Sequence, residues 1–256
     1  MPALRRYRAV SLDLWSTCLV DRPEADERLR ALRHRYLAEN LRGSDGTTLP
    51  VRDVERAVEE VHLHLRAEDF RPHEVDPEQL IVRYAKALGA TPTRPFPELG
   101  TEYSCVGFEE DPPPINPEAE HLVASLLLRN LPIIATTNTA RREASWQEFF
   151  RARTKLRFQH VVTSCEVGHG KPHPAIFVES ARRLGLPPAD ILHIGDWWEL
   201  DGQGAIDAGF GSVIYSGLWN LARYGAAIER GREAARREGV PCFQRLDDPR
   251  ILEMLA

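Results

Sequence analysis

The 256-residue sequence predicts an α/β fold, a doubly wound parallel sheet interrupted early by an all-helical block. Two observations carry that prediction. After residue 117, short apolar runs alternate with segments of helix period, the rhythm of strand and helix units that lay their strands side by side in parallel. Between residues 19 and 110, by contrast, only helix periodicity follows the first strand. The expected division is a core of residues 1–18 and 111–256 with a helical insertion at 19–110.

Taken in order, RAVSLDLW (8–15) reads as a short buried strand ending at Asp13 and closed by a polar Ser16-Thr17 turn. ADERLRALRHRYLAENL, VRDVERAVEEVHLHLRAEDF and PEQLIVRYAKALG show helical spacing, with a further helix within PELGTEYSCVGFEE. The prolines of DPPPINP (111–117) cannot continue a helix and mark the boundary. Beyond it, EAEHLVASLLLRN, ARREASWQEFFRAR, PAIFVESARRLG and ELDGQGAIDAG read as helices. They alternate with the strands LPIIATTN, FQHVVTS, ILHIGD and GSVIYSG. LARYGAAIERGREAARREG is a long polar helix with no apolar face, read as solvated, and PCFQRL is a last short strand.

Composition excludes several function classes. The net charge of -5 and pI near 6.0 give no electrostatic footprint for nucleic acid. The four cysteines, Cys18, Cys105, Cys165 and Cys242, are scattered, with no CxxC pair, which argues against a disulfide framework or a zinc site. The basic start MPALRRYRAV is followed by too short an apolar segment for a signal peptide, and no stretch approaches the roughly 20 apolar residues of a membrane span. A cytoplasmic protein acting on a small molecule is expected. Basic residues are nearly all arginine; the lysines are Lys86, Lys155 and Lys171.

Reactive residues collect where strands stop. Asp13 ends the first strand, Thr136-Thr137-Asn138 end the second, Lys171 sits in GHGKPHP, and Asp196 ends ILHIGD with Asp201 soon after. In a parallel sheet these ends share one rim, where ligands bind. Carboxylates suit a hard divalent cation, and lysine and hydroxyls suit phosphoryl oxygens.

In this order the residues resemble the haloacid dehalogenase superfamily of hydrolases. DLWSTCL is similar to its first motif, DxDGTL, and IIATTN to its second. GHGKPHPAIF is similar to the third, GxxKPxPxxF, and ILHIGDWWELDGQGAIDAGF to the fourth, GDxxxxDxxGAxxAG. The resemblance implies a Rossmann-like core, a helical cap between the first two motifs, and a Mg²⁺-dependent phosphatase. Carried over, Asp13 would be the nucleophile, with Thr137, backbone donors around Asn138, and Lys171 holding phosphoryl oxygens. Ser16 and Thr17 are expected to contact substrate, and Trp197, where the family more often has a small polar residue, is expected to narrow the site or stack on a planar substrate. Asp13, the Trp15 carbonyl and Asp196 would bind Mg²⁺, supported by Asp201.

Trp15 breaks the pattern, because phosphatases of the family carry an acid there and an indole N–H only donates. Three readings stay open: a good leaving group, an acid supplied from the cap by His62, His64, His73 or Glu74, or carbon–halogen or carbon–phosphorus cleavage. A weakened member that only binds a ligand or partner is a further alternative. The bland alternatives are a capping role for Asp13 or Asp201, a solvated Lys171, surface positions for His62 and His64, and a satisfied core histidine at His193.

Overall fold

A computed structural model describes residues 6–20, 22–68, 71–108, 111–217 and 221–256. Its centre is a parallel sheet of β1 (Ala9–Leu12), β4 (Ile133–Thr137), β5 (His160–Thr163), β6 (Ile191–Gly195), β7 (Gly211–Tyr215) and β8 (Cys242–Phe243) in the order β5-β4-β1-β6-β7-β8. β1 is flanked by β4 and β6, with Leu12 opposite Ala135 on one side and Ile194 on the other. From β1 the chain winds out through β4 to β5, then crosses back to β6 on the other side and on to β7 and β8, so the winding reverses beside β1 and opens a crevice at its carboxyl end. β1 and β4 are buried throughout, so their near-continuous apolar runs follow from helices covering both faces.

One face packs α5 (Pro117–Leu128) and α6 (Glu143–Arg153), whose Leu122, Leu126, Trp146 and Phe150 bury against Val10, Leu12 and Ile133. The other packs α8 (Pro174–Leu184) and the short α9 (Gly204–Asp207) through Ile176, Phe177 and Ala205. Local signals set the helix ends: Asn116 and His173 accept hydrogen bonds from Glu118 N and Ala175 N just before proline starts. Gly185 takes the left-handed conformation (φ 65°) that closes α8.

Between β1 and β4 stand α1 (Pro23–Asn40), α2 (Val51–Ala67), α3 (Pro77–Leu88) and α4 (Phe96–Cys105). They enclose a separate apolar cluster that includes Leu37, Val58, Leu65, Ile81 and Tyr84. On α2 the buried Val54, Val58, Val61 and Leu65 recur every third or fourth residue, which places them on one helix face. The segment also holds an antiparallel pair, β2 (Leu41–Arg42) with β3 (Thr91–Pro92), too short to leave a strand pattern in the sequence. The chain leaving the core and the chain returning to it are paired through a Leu19–Ile115 bridge and an Asn116 N to Cys18 O bond of 2.9 Å.

Four elements differ from expectation. ELDGQGAIDAG does not form one helix: Trp198–Gln203 is a π-helical turn that leads into α9. The four-residue α7 (Ser164–Val167) and the five-residue α11 (Pro249–Glu253) carry too few residues to show a period. The polar α10 (Leu221–Arg237) does possess a packing face: Ala235 is buried with Trp198 and Ile214, and a Cβ on Gly231 would stand 3.0 Å from Trp198 Cβ. Small residues four apart form that face, so its apolar content is low although its contact is close. No helix among the described residues is long and apolar enough to cross a membrane.

Candidate active site

The Asp13 side chain stands just beyond β1, whose end is fixed by Asp13 N donating to Ile194 O at 2.9 Å. A tight turn follows: the Leu14 carbonyl accepts from Cys18 N and Leu19 N at 2.9 and 2.8 Å, and Ser16 adopts φ 59°. Ser16 thus occupies a left-handed position that glycine fills at less cost. The side chain of Trp15 leaves this turn edge-on to Trp146, with ring centroids 5.9 Å apart.

Asp13, Asp196 and Asp201 each offer an oxygen within 4.8 Å of the others. The Lys171 ammonium, buried, reaches Asp13 Oδ1 and Asp201 Oδ1 at 2.5 Å each. Asp201 also accepts from Trp197 N at 3.0 Å and lies 3.2 Å from His193 Nε2. It lies within the π-helical turn rather than at a helix start, and the turn packs it against β6 so closely that a Cβ on Gly195 would sit 2.3 Å from its Cγ. His193 is the satisfied core histidine expected, with Nδ1 2.9 Å from Ser11 Oγ and the chain continuing through Thr136 to Ser180.

The charge balance is lopsided, with three carboxylates around one ammonium. Burial, opposed by Lys171 and reinforced by Asp201, pushes the Asp13 carboxyl up to about 7. Burial with Asp201 and Asp13 nearby holds Asp196 well above the carboxylate range. For Asp201, burial is outweighed by Lys171 and His193, and its carboxyl falls below the ordinary value. Burial would lower Lys171, but Asp13 and Asp201 more than reverse that and raise it. The surplus negative charge and the all-oxygen donor set fit a hard divalent cation such as Mg²⁺.

Asp13, Lys171, Asp196 and Asp201 line one cavity of about 340 Å³. Trp15, Ser16, Asn138 and Trp197 line it too. Thr17 and Thr137 do not, although both are buried and each Oγ1 has no hydrogen-bond partner among the described residues. Asn138 commits both ends of its amide to the Lys171 backbone, donating to its carbonyl at 2.9 Å and accepting from its N–H at 2.6 Å. It braces the lysine loop. Trp197 and Trp198 part ways: the first lines the cavity and the second packs into the core.

Arg71, His73 and Leu200 complete the lining. Arg71 and His73 come from the helical insertion, around the 3₁₀ turn Pro72–Glu74. That turn is tied to the core by Glu74 Oε1, which accepts from Gly170 N at 2.7 Å, and by Ser164 Oγ donating to His73 O at 2.6 Å. Asp76 adds a two-pronged ion pair with Arg142 at 2.7 and 3.0 Å. His62, expected at the surface, instead lies half-buried with Nε2 2.8 Å from Tyr84 Oη, and burial pushes it down to about 4. A larger cleft of about 820 Å³ between α1 and α2 shares no lining residue with the carboxylate cavity.

The sequence model of the haloacid dehalogenase-like hydrolases matches residues 7–209. The chain belongs to that family. This haloacid dehalogenase-like hydrolase is 35% identical over 111 residues to glyceraldehyde 3-phosphate phosphatase of Methanopyrus kandleri, covering 42% of each chain. It is 32% identical over 100 residues to phosphoserine phosphatase of Thermus thermophilus, covering 39% of this chain and 40% of the relative. The chain therefore spans less than half the length of these curated relatives. A 2-haloacid dehalogenase from Pseudomonas syringae superimposes with a TM-score of 0.58 at 18% identity, covering 97% of both chains, a likeness of fold.

Proposed function

We propose that this haloacid dehalogenase-like hydrolase is a Mg²⁺-dependent phosphatase for a small phosphorylated metabolite, with Asp13 as nucleophile. The observation that carries the reading is the cluster of Asp13, Asp196 and Asp201 oxygens within 4.8 Å, bridged by Lys171. A carbon–halogen hydrolase needs a carboxylate nucleophile but no such surplus of acid. Asp13 and Asp196, with the Trp15 carbonyl, would hold the metal and Asp201 would support it. Bound there, Mg²⁺ neutralises charge on the phosphoryl oxygens.

Asp13 attacks phosphorus in line and forms an aspartyl-phosphate as the ester oxygen departs; water then cleaves the acyl phosphate. Lys171 orients the attacking carboxylate and offers positive charge to the transferring oxygens, while Asn138 fixes the lysine loop. The orphaned Thr137 hydroxyl is a donor at the end of β4 for a phosphoryl oxygen. Ser16 and Trp197, which line the cavity, border the substrate in this reading, while the buried Thr17 supports the turn behind them. Residues 19–110 act as the cap, since the bonds from Glu74 and Asp76 carry their turn onto the core rim. A cytoplasmic setting accords with four free cysteines.

Phosphate release from acetyl, p-nitrophenyl, sugar and nucleotide phosphates, with and without Mg²⁺, tests the reading. Mg²⁺-dependent release that Asp13→Asn abolishes is expected. Silence across the panel together with halide release from 2-haloacids would assign the carbon–halogen reaction instead; silence toward phosphonates and haloacids too would leave a binding role.

A further inference from the structure

Trp15 leaves the departing oxygen without a carboxyl donor from the β1 loop, and a missing acid costs about 10²- to 10⁴-fold in rate. The cavity itself narrows the choice of replacement. Lys171 is already committed to the Asp13 and Asp201 carboxylates, and Arg71 is a guanidinium that does not deprotonate. Asp13, Asp196 and Asp201 form the acidic cluster. Outside the cavity, His62 is engaged with Tyr84, His64 is exposed on α2, and Glu74 is occupied by the Gly170 and Arg71 amides.

His73 remains. It lines the cavity, and its buried Nε2 has no hydrogen-bond partner among the described residues. Its position is fixed on both sides: Ser164 Oγ holds its carbonyl, and the next residue, Glu74, is bonded to Gly170, the neighbour of Lys171. We propose that His73, delivered by the helical insertion, is the acid and base that stands in for the carboxyl missing at Trp15. The inference rests on the phosphatase reading above.

In the first step the Asp13 oxygen bonds to phosphorus, the P–O bond to the alcohol breaks, and the Nε2 proton of the His73 imidazolium passes to the alcohol oxygen. In the second, water bonds to phosphorus, the P–O bond to Asp13 breaks, and the water's proton returns to Nε2. Inorganic phosphate leaves and the imidazolium is restored. Burial and Arg71 favour surrender of the proton, while Glu74 favours its return.

The test compares an alkyl phosphate with p-nitrophenyl phosphate, whose leaving group departs without protonation, in the full chain with Mg²⁺. His73→Asn is expected to lower kcat for the alkyl ester about 10²- to 10⁴-fold, and by at least about tenfold more than for the aryl ester. Trp15→Asp added to His73→Asn is expected to restore alkyl turnover. Equal loss on both substrates, as from a loosened cap, or no loss on either, overturns the inference and leaves the phosphatase reading intact. If Asp13→Asn does not abolish release by the wild-type framework, the phosphatase reading fails and the inference falls with it.

Discussion

The Glu74 carboxylate accepts a hydrogen bond from the backbone N–H of Gly170 at 2.7 Å, so one residue of the helical insertion is tied to the neighbour of Lys171. A second oxygen of the same carboxylate accepts from Arg71 N at 2.7 Å, which stiffens the turn that carries His73. Glu74→Ala removes both acceptors. The cost expected is about 1.5–3 kcal/mol, the range for a hydrogen bond to a charged group. Amide exchange at Gly170 should quicken and kcat/KM should fall, and unchanged exchange at Gly170 would show that the tie is not formed in solution.

Asp13 and Asp196 link stability to pH. Each carboxyl is raised, first by burial, so each prefers its proton in the folded state. Stability from such a group is complete below its unfolded value and is lost as pH rises through the folded one. For Asp13 that window runs from 3.8 to about 7. Asp201, shifted down, and Lys171, shifted up, stay ionised across it. Relative to Asp13→Asn, the metal-free wild type should therefore lose a few kcal/mol, on the order of 1.4 kcal/mol per pKa unit, between pH 4 and 7. Urea midpoints measure it, and parallel profiles for the two proteins would refute the linkage. Mg²⁺ should recover the loss by binding only the folded state.

Gly195 is required by the closeness of Asp201. A methyl group there would meet Asp201 Cγ at 2.3 Å and Cβ at 2.6 Å. Gly195→Ala is expected to destabilise by about 1–3 kcal/mol through overpacking. By moving Asp201 it should also shrink the rise in Tm with Mg²⁺. Thermal melts with and without the ion check both effects together.

The adjacent tryptophans should respond differently to truncation. Trp198 is 8% exposed and packs on Ile214 and Ala235, so Trp198→Ala should cost about 3–5 kcal/mol. Trp197 borders the cavity, so Trp197→Ser should change preference among aryl and alkyl phosphates with little loss of stability. Denaturation midpoints alongside a substrate panel separate the two; equal destabilisation by both would contradict the division.

The sheet and its rim were legible because strand ends converge whatever lies between them in sequence. Asp13, Lys171, Asp196 and Asp201 could be grouped from that rule before any coordinate. Arg71 could not: it lies in a non-periodic stretch between α2 and α3, and only docking of that stretch on Gly170 and Ser164 brings it to the cavity. His73 and Glu74 were recognisable by chemical type, and their different positions by tertiary structure alone. The packing face of α10 escaped for another reason, since Gly231 and Ala235 contribute contact through smallness rather than hydrophobicity. The π-helical turn at Trp198–Gln203 has no sequence period of its own and is set by Asp201 reaching back to Trp197 N.

The edge-on contact of Trp15 with Trp146 has an optical consequence. Trp15 and Trp197 border the cavity, and Trp15 stands 5.9 Å, centroid to centroid, from the buried Trp146, close enough for excitation to pass between those two indoles. The protein's own emission is therefore a meter of occupancy. Titration of an unmodified sample with a non-hydrolysable ligand can be followed by light alone, and Trp15→Phe separates the Trp15–Trp146 signal from that of Trp197.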